Sequence, residues 1–132
     1  MMSGVEVWGV YHVMFNHKGK YFIALTRTLE EDVYGIKIPY WIGPCISSGK
    51  ENDGDPSLHM CDVKIDANLN SNLDRLSYVN MGRLRKVAEQ ELSDFKRIID
   101  RGTQNRIKEA AKQCRAVSPK LKDLICALDT RR

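Results

Sequence analysis

Residues 5–27 decide how the chain reads: Val5-Glu6-Val7-Trp8-Gly9-Val10-Tyr11-His12-Val13-Met14-Phe15, then Asn16-His17-Lys18-Gly19, then Lys20-Tyr21-Phe22-Ile23-Ala24-Leu25-Thr26-Arg27. The first stretch is β-branched and aromatic. Its partial alternation puts Val5, Val7, Gly9, Tyr11 and Val13 on one face, which predicts a strand over 5–15. The middle four residues are turn formers, with Gly19 free to adopt a positive φ. The last stretch predicts a returning strand over 20–27, so the chain opens with an antiparallel hairpin.

Working outward, polar residues 28–32 predict a loop, and 33–46 predict one or two buried strands around Pro39. Residues 47–56 contain no apolar side chain and read as a loop. A strand is expected over 58–66, a polar loop over 67–75, and short strands over 76–81 and 84–88. The pattern then becomes helical. Thr103 is the expected N-cap, followed by Ile107, Ala110, Ala111 and Cys114 at helical spacing. Ser118-Pro119 opens a second helix whose apolar face is Leu121, Leu124, Ile125 and Leu128. Strands over about 5–88 and helices over about 103–129 describe one domain, residues 1–132. It is mainly β: a small barrel or rolled sheet with C-terminal α-helices on one side.

Composition agrees. Of 132 residues, 42 % are hydrophobic and 29 % charged, which excludes global disorder. No apolar run approaches the ~18–20 residues of a membrane helix. The first residues lack a basic stretch followed by an apolar one, so no signal peptide and no membrane are expected, and a soluble cytoplasmic protein is. The net charge of +4 is uneven: residues 1–82 hold 7 Lys/Arg against 10 Asp/Glu, net −3, and residues 83–132 hold 14 against 7, net +7. The basic C-terminal third is compatible with nucleic acid or an acidic protein partner, while composition alone favours a solvated surface.

Cys45, Cys61, Cys114 and Cys126 form no C-x-x-C pair, and His12, His17 and His59 form no metal motif with them. Buried reduced thiols are expected, and no zinc. Asp66-Ala67-Asn68-Leu69-Asn70 imitates a calcium loop but has Ser71 at the glycine position and Ser77 at the glutamate position, so no calcium site is expected either. Phosphate-loop, dinucleotide and nucleophile-elbow signatures are absent, and no cofactor is predicted.

Three features could bear chemistry, although each also suits an ordinary solvated turn or strand. His17, Lys18 and Lys20 gather three phosphate partners within four residues. Arg83-Leu84-Arg85-Lys86 is a second basic cluster, with Arg83 and Arg85 on one face by alternation. Ser47 and Ser48 place hydroxyls where a buried strand runs into a glycine-containing loop.

The order of these pieces resembles a known family. Trp8-Gly9-Val10, the short tip and Lys20–Thr26 are similar to the opening of MazF/PemK-type toxins. Gly43-Pro44-Cys45-Ile46-Ser47-Ser48 resembles that family's V-P-[LIV]-T-S strand end. Ser77-Tyr78-Val79-Asn80-Met81-Gly82-Arg83-Leu84-Arg85-Lys86-Val87 resembles its S-Y-V-x-x-D-Q-I-R-T-V strand pair. Gly102-Thr103 resembles its helix start. The likeness spans residues 5–115, in order. It implies an SH3-like barrel of the MazF/PemK/CcdB type, acting as a homodimer. It also implies metal-independent endoribonuclease activity on single-stranded RNA, and inhibition by a cognate acidic antitoxin of a type II toxin–antitoxin system.

Carried over by position, the resemblance puts the family's hairpin arginine on Lys20 and the histidine of some members on His17. Its Thr-Ser pair falls on Ile46-Ser47, or on Ser47-Ser48 with one residue inserted. Arg85 matches the family arginine. Gly82 stands where the family has aspartate, and Asn80 where some members have arginine. The implied catalytic set is His17, Lys20, Ser47 and Ser48, with Lys18, Asn80, Arg83 and Arg85 binding RNA. His17 is the residue type suited to proton transfer at neutral pH. A non-catalytic barrel that binds RNA or a protein is the alternative.

Overall fold

The structure, a computed structural model, describes residues 4–47, 61–65 and 77–131. The expected hairpin forms from β1 (Gly9–Phe15) and β2 (Lys18–Ile23), in register from Val10↔Ile23 to Phe15↔Lys18. The turn is tighter than predicted. Only Asn16 and His17 lie outside the ladder, at φ 49° and 66°, as a two-residue hairpin turn demands. Gly19 is therefore a strand residue, opposite Met14 and packed beneath the His12 ring. Residues 5–8 precede the strand instead of extending it. Trp8, at φ 69°, breaks the extended run there.

After β2 the chain bends at Ala24-Leu25 and continues as β3 (Thr26–Glu31), which pairs with β4 (Lys37–Gly43). Residues 28–32 were expected to loop. They instead form most of an edge strand, whose Thr-Arg-Thr-Leu-Glu-Glu sequence is polar because neither face is deeply covered. Pro44 bends the returning chain into β5 (Cys45–Ser47). Bonds from Ile23 N to the Pro44 carbonyl and from Leu25 N to the Ile42 carbonyl carry the pairing through both bends. Then come β6 (Asp62–Ile65), β7 (Ser77–Asn80), β8 (Arg85–Ala88), a single 3-10 turn (Glu89–Glu91) and β9 (Ser93–Ile98). β9 went unpredicted. It is a mostly exposed edge strand with Asp94 at φ 49°, and it lacks the apolar alternation that signals a strand. The expected strand 58–66 and loops 47–56 and 67–75 fall largely outside the described residues.

The strands form a six-stranded antiparallel sheet, β6-β7-β5-β2-β1-β9, and a three-stranded one, β3-β4-β8. Tyr11, Val13, Phe22, Ala24, Trp41, Cys45 and Val87 fill the space between them. The opposite face of the larger sheet carries Val10, Ile23, Ile46, Val63, Ile65 and Val79, and it packs on the helices α1 (Arg101–Gln113) and α2 (Pro119–Cys126) through Ile107, Ala111 and Ile125. α1 starts earlier than expected. Its cap is Asp100, whose carboxylate accepts from Thr103 N at 2.9 Å and from the Thr103 hydroxyl at 2.6 Å. Thr103 is thus the capped residue and not the cap. Ser118 caps α2 as predicted, with Pro119 in its first turn. No helix among the described residues is long and apolar enough to cross a membrane.

The cysteine expectation is overturned in part. Cys61, just before β6, is disulfide-bonded to Cys114, the residue after α1, with 5.3 Å between the Cα atoms. Their separation of 53 residues hides the pair from any spacing motif. Packing α1 across the sheet brings them together. Cys45 and Cys126 remain thiols.

At Gly43 the backbone of β4 passes hard against the end of β2. A Cβ there would lie 1.8 Å from the Ile23 carbonyl oxygen, a backbone atom that cannot swing aside. Gly43→Ala is expected to destabilise the fold by about 3 kcal/mol, the upper part of the overpacking range, read from the midpoint of urea unfolding.

Candidate nucleic-acid interface

Residues directly opposed on paired strands share a face, so the register sorts the larger sheet into rows. Tyr11↔Phe22 and Phe22↔Cys45 begin an inner row. It continues through Asn80, which stands one step beyond the Ile46↔Val79 pair, and ends on Asp62. The next row links Val13↔Lys20, then Ser47, then Tyr78↔Lys64. Ser47 is opposite Lys20 because the pairs Phe22↔Cys45 and Tyr21↔Ile46 step one residue further. The last row is Phe15↔Lys18. Burial falls along this series, from Phe22 and Asn80 at 0 % and 1 % exposed, through half-buried Lys20, Ser47 and Tyr78, to exposed Lys18.

The smaller sheet contributes Arg85. It follows β8 outward from buried Val87 on the same face, and its guanidinium lies 5.6 Å from the centre of the Phe15 ring. Lys18, Lys20, Ser47 and Arg85 thus converge at one open end of the space between the sheets. Neighbouring strands are ~4.8 Å apart and same-face residues on a strand ~6.8 Å apart, a scale that suits successive phosphates of a single strand. The apolar floor formed by Val13 and Phe22 strengthens the field of these cations.

The other predicted residues separate from this group to different degrees. His17 is exposed at the hairpin tip, beyond the Phe15↔Lys18 row. Arg83 lies in the turn between β7 and β8, its amide bonded to the Asn80 carbonyl. Alternation therefore does not reach it, and the expectation that Arg83 and Arg85 share a strand face fails because the strand begins at Arg85. Lys86 faces away, bonded to Glu30 at 2.6 Å and stacked over Tyr40. Gly82 lies in the same turn as Arg83. Ser48 lies outside the described residues, as do His59 and the calcium-like segment. Asn80, expected to meet RNA, is buried and its Nδ2 donates to Ser47 Oγ at 2.8 Å. Sequence reasoning missed Phe15 as the ring under Arg85. The only trace of it was an aromatic residue at the end of an alternating strand.

No protein-family model matches the chain, and no curated protein does. Solved structures do. An endoribonuclease from mycobacterial species, solved in complex with its cognate antitoxin, superposes with a TM-score of 0.60 at 14 % identity, covering 89 % of this chain and 98 % of that one. A second mycobacterial endoribonuclease gives a TM-score of 0.58 at 14 % identity, covering 83 % and 89 %. The motif order that resembled MazF/PemK-type toxins is therefore met by a shared backbone, and this chain has the fold of endoribonucleases, one of them solved with its antitoxin.

Proposed function

We propose that this chain is the toxin of a type II toxin–antitoxin pair and that it cleaves single-stranded RNA. The observation that carries the proposal is the convergence of Lys18, Lys20, Ser47 and Arg85 on one rim, in a fold shared with endoribonucleases. The reaction is transesterification without a metal. The 2′-oxygen attacks the adjacent phosphorus, the bond from phosphorus to the 5′-oxygen breaks, and the products are a 2′,3′-cyclic phosphate and a 5′-hydroxyl. One proton leaves the 2′-hydroxyl and one is delivered to the departing 5′-oxygen. His17 is the proton carrier. Lys20, Lys18 and Arg85 stabilise the phosphorane charge, and Ser47 and Ser48 donate to its oxygens.

In the same reading the two sheets and their bends close as an SH3-like barrel, and two copies pair around a shared groove in the cytoplasm. A disordered acidic antitoxin segment covers that groove. The net charge of +7 in residues 83–132 attracts it. Gly82, which lacks a side chain where the family has aspartate, favours a second reading in which the rim binds RNA without cutting it.

Incubating purified protein with a long single-stranded RNA, with and without EDTA, decides between them. Cleavage undiminished by EDTA, leaving cyclic phosphate ends, is the expected result. Intact RNA that shifts on a native gel would establish the binding-only reading instead.

A further inference from the structure

Among the described residues, β6 is an edge strand of four residues whose only ladder is with β7. Helix α1 lies across it, and Arg106 donates from α1 to the Lys64 carbonyl at 3.3 Å. The two are also joined covalently. Cys61 stands directly before β6 and Cys114 directly after α1, and their disulfide bridges 53 residues of sequence. Both cysteines are fully buried. Met81 sits against the pair: its amide donates to the Cys61 carbonyl at 3.1 Å, and its carbonyl oxygen lies 4.0 Å from Cys114 Sγ. That oxygen can accept from a reduced Cys114 S–H, and a reduced Cys61 packs as a small apolar side chain. The surroundings therefore accommodate two thiols as well as the disulfide.

We propose that Cys61 and Cys114 form a redox-sensitive clip that sets how firmly β6 is held to α1, and with it the lifetime of the folded chain. The clip does not depend on whether the rim cuts RNA. Its exchange partner is a low-molecular-weight thiol–disulfide couple of the glutathione class. To close the clip, one cysteine thiolate attacks a sulfur of the small disulfide and releases one small thiol. The second cysteine attacks the resulting mixed disulfide and releases the other. Two electrons and two protons pass from the cysteine pair to the small disulfide, and opening is the reverse. Because both sulfurs are sealed from solvent, each exchange waits for β6 to part from α1. A four-residue edge strand makes that a local opening and not a global one. Once closed, the bond constrains the unfolded chain over a long loop, which favours the folded state. In a reducing compartment such a pair is a sensor and not a permanent staple.

Two measurements on the full chain test the clip. Protein equilibrated in glutathione buffers, from fully oxidised to the reducing ratio of a cytosol, is quenched in acid, alkylated and read by mass spectrometry. Cys61 and Cys114 should pass together from disulfide to two thiols within that range. A pair still bonded in the most reducing buffer is a permanent staple, and a pair that never bonds in the oxidised one forms no clip. Either result overturns the proposal. Hydrogen exchange and limited proteolysis then compare the two trapped forms. On reduction, exchange over Asp62–Ile65 and at the end of α1 should quicken at least ~10-fold, with β1 and β2 changing less than ~2-fold. Proteolysis should quicken at least ~10-fold as well, since it tracks the open population. Cys61→Ser should behave as the reduced form in every buffer, and the reduced parent supplies the same comparison if that variant does not fold. Equal exchange and proteolysis in the two forms would overturn the clip, as would exchange that quickens uniformly along the chain.

Discussion

His17→Ala is expected to slow RNA cleavage by about 10²–10⁴-fold, the span over which positioned proton carriers contribute. The hairpin turn presents the imidazole on an exposed tip, next to Lys18 and beyond the row that holds Lys20 and Ser47. Gly82 offers no side chain for the task. In the proposed reading Lys20 acts through its charge on the phosphorane. Lys20→Ala should also lower the cleavage rate, through the lost stabilisation of the phosphorane charge. A His17→Ala protein that cleaves as fast as its parent would move the proton carrier elsewhere, while leaving the fold likeness untouched.

Trp8→Ala should cost about 3–5 kcal/mol of stability, the range for emptying a large core aromatic. Trp8 is completely buried in the core under the helices, and its indole N–H donates to the Asp129 carbonyl at 2.8 Å. Its own carbonyl accepts from Ile99 N, and its amide donates to the Ala24 carbonyl. One side chain thus fastens the entry to β1 to the segment after α2. Trp8→Phe keeps most of the apolar volume and loses only the indole bond, so about 1 kcal/mol is expected there. Urea unfolding followed by far-ultraviolet circular dichroism measures both. Equal losses for the two variants would show that the bond to Asp129, and not the ring, is what matters.

The comparison of sequence and structure is most instructive where polarity misled. The N-terminal hairpin was legible because Val10 to Phe15 and Tyr21 to Ile23 meet a core on both faces of the sheet. Residues 28–31 and 93–98 were not, because edge strands need no apolar alternation and carry their polar side chains into solvent. Within the site, Lys20, Ser47 and Arg85 were legible as residue types at strand ends. Their convergence was not, since it depends on the register of β2 against β5 and on the bends at Ala24-Leu25 and Pro44. Asn80 showed the limit most sharply. A polar residue at a strand end reads as exposed, yet the β7 register sets it opposite Cys45, inside the fold.

The ties between the two ends of the described chain bear on how the protein is made. Trp8 bonds Asp129, Glu6 pairs with Arg131 at 2.6 Å, and Gln104 accepts from Arg131 N at 2.7 Å. A growing polypeptide leaves the ribosome N-terminus first. The hairpin over 9–23 can therefore form early, but the core beneath it stays open until residues 129–131 have emerged. The closure of the N-terminal segment onto the helices is thus a late, long-range step that waits for contacts more than a hundred residues apart in sequence.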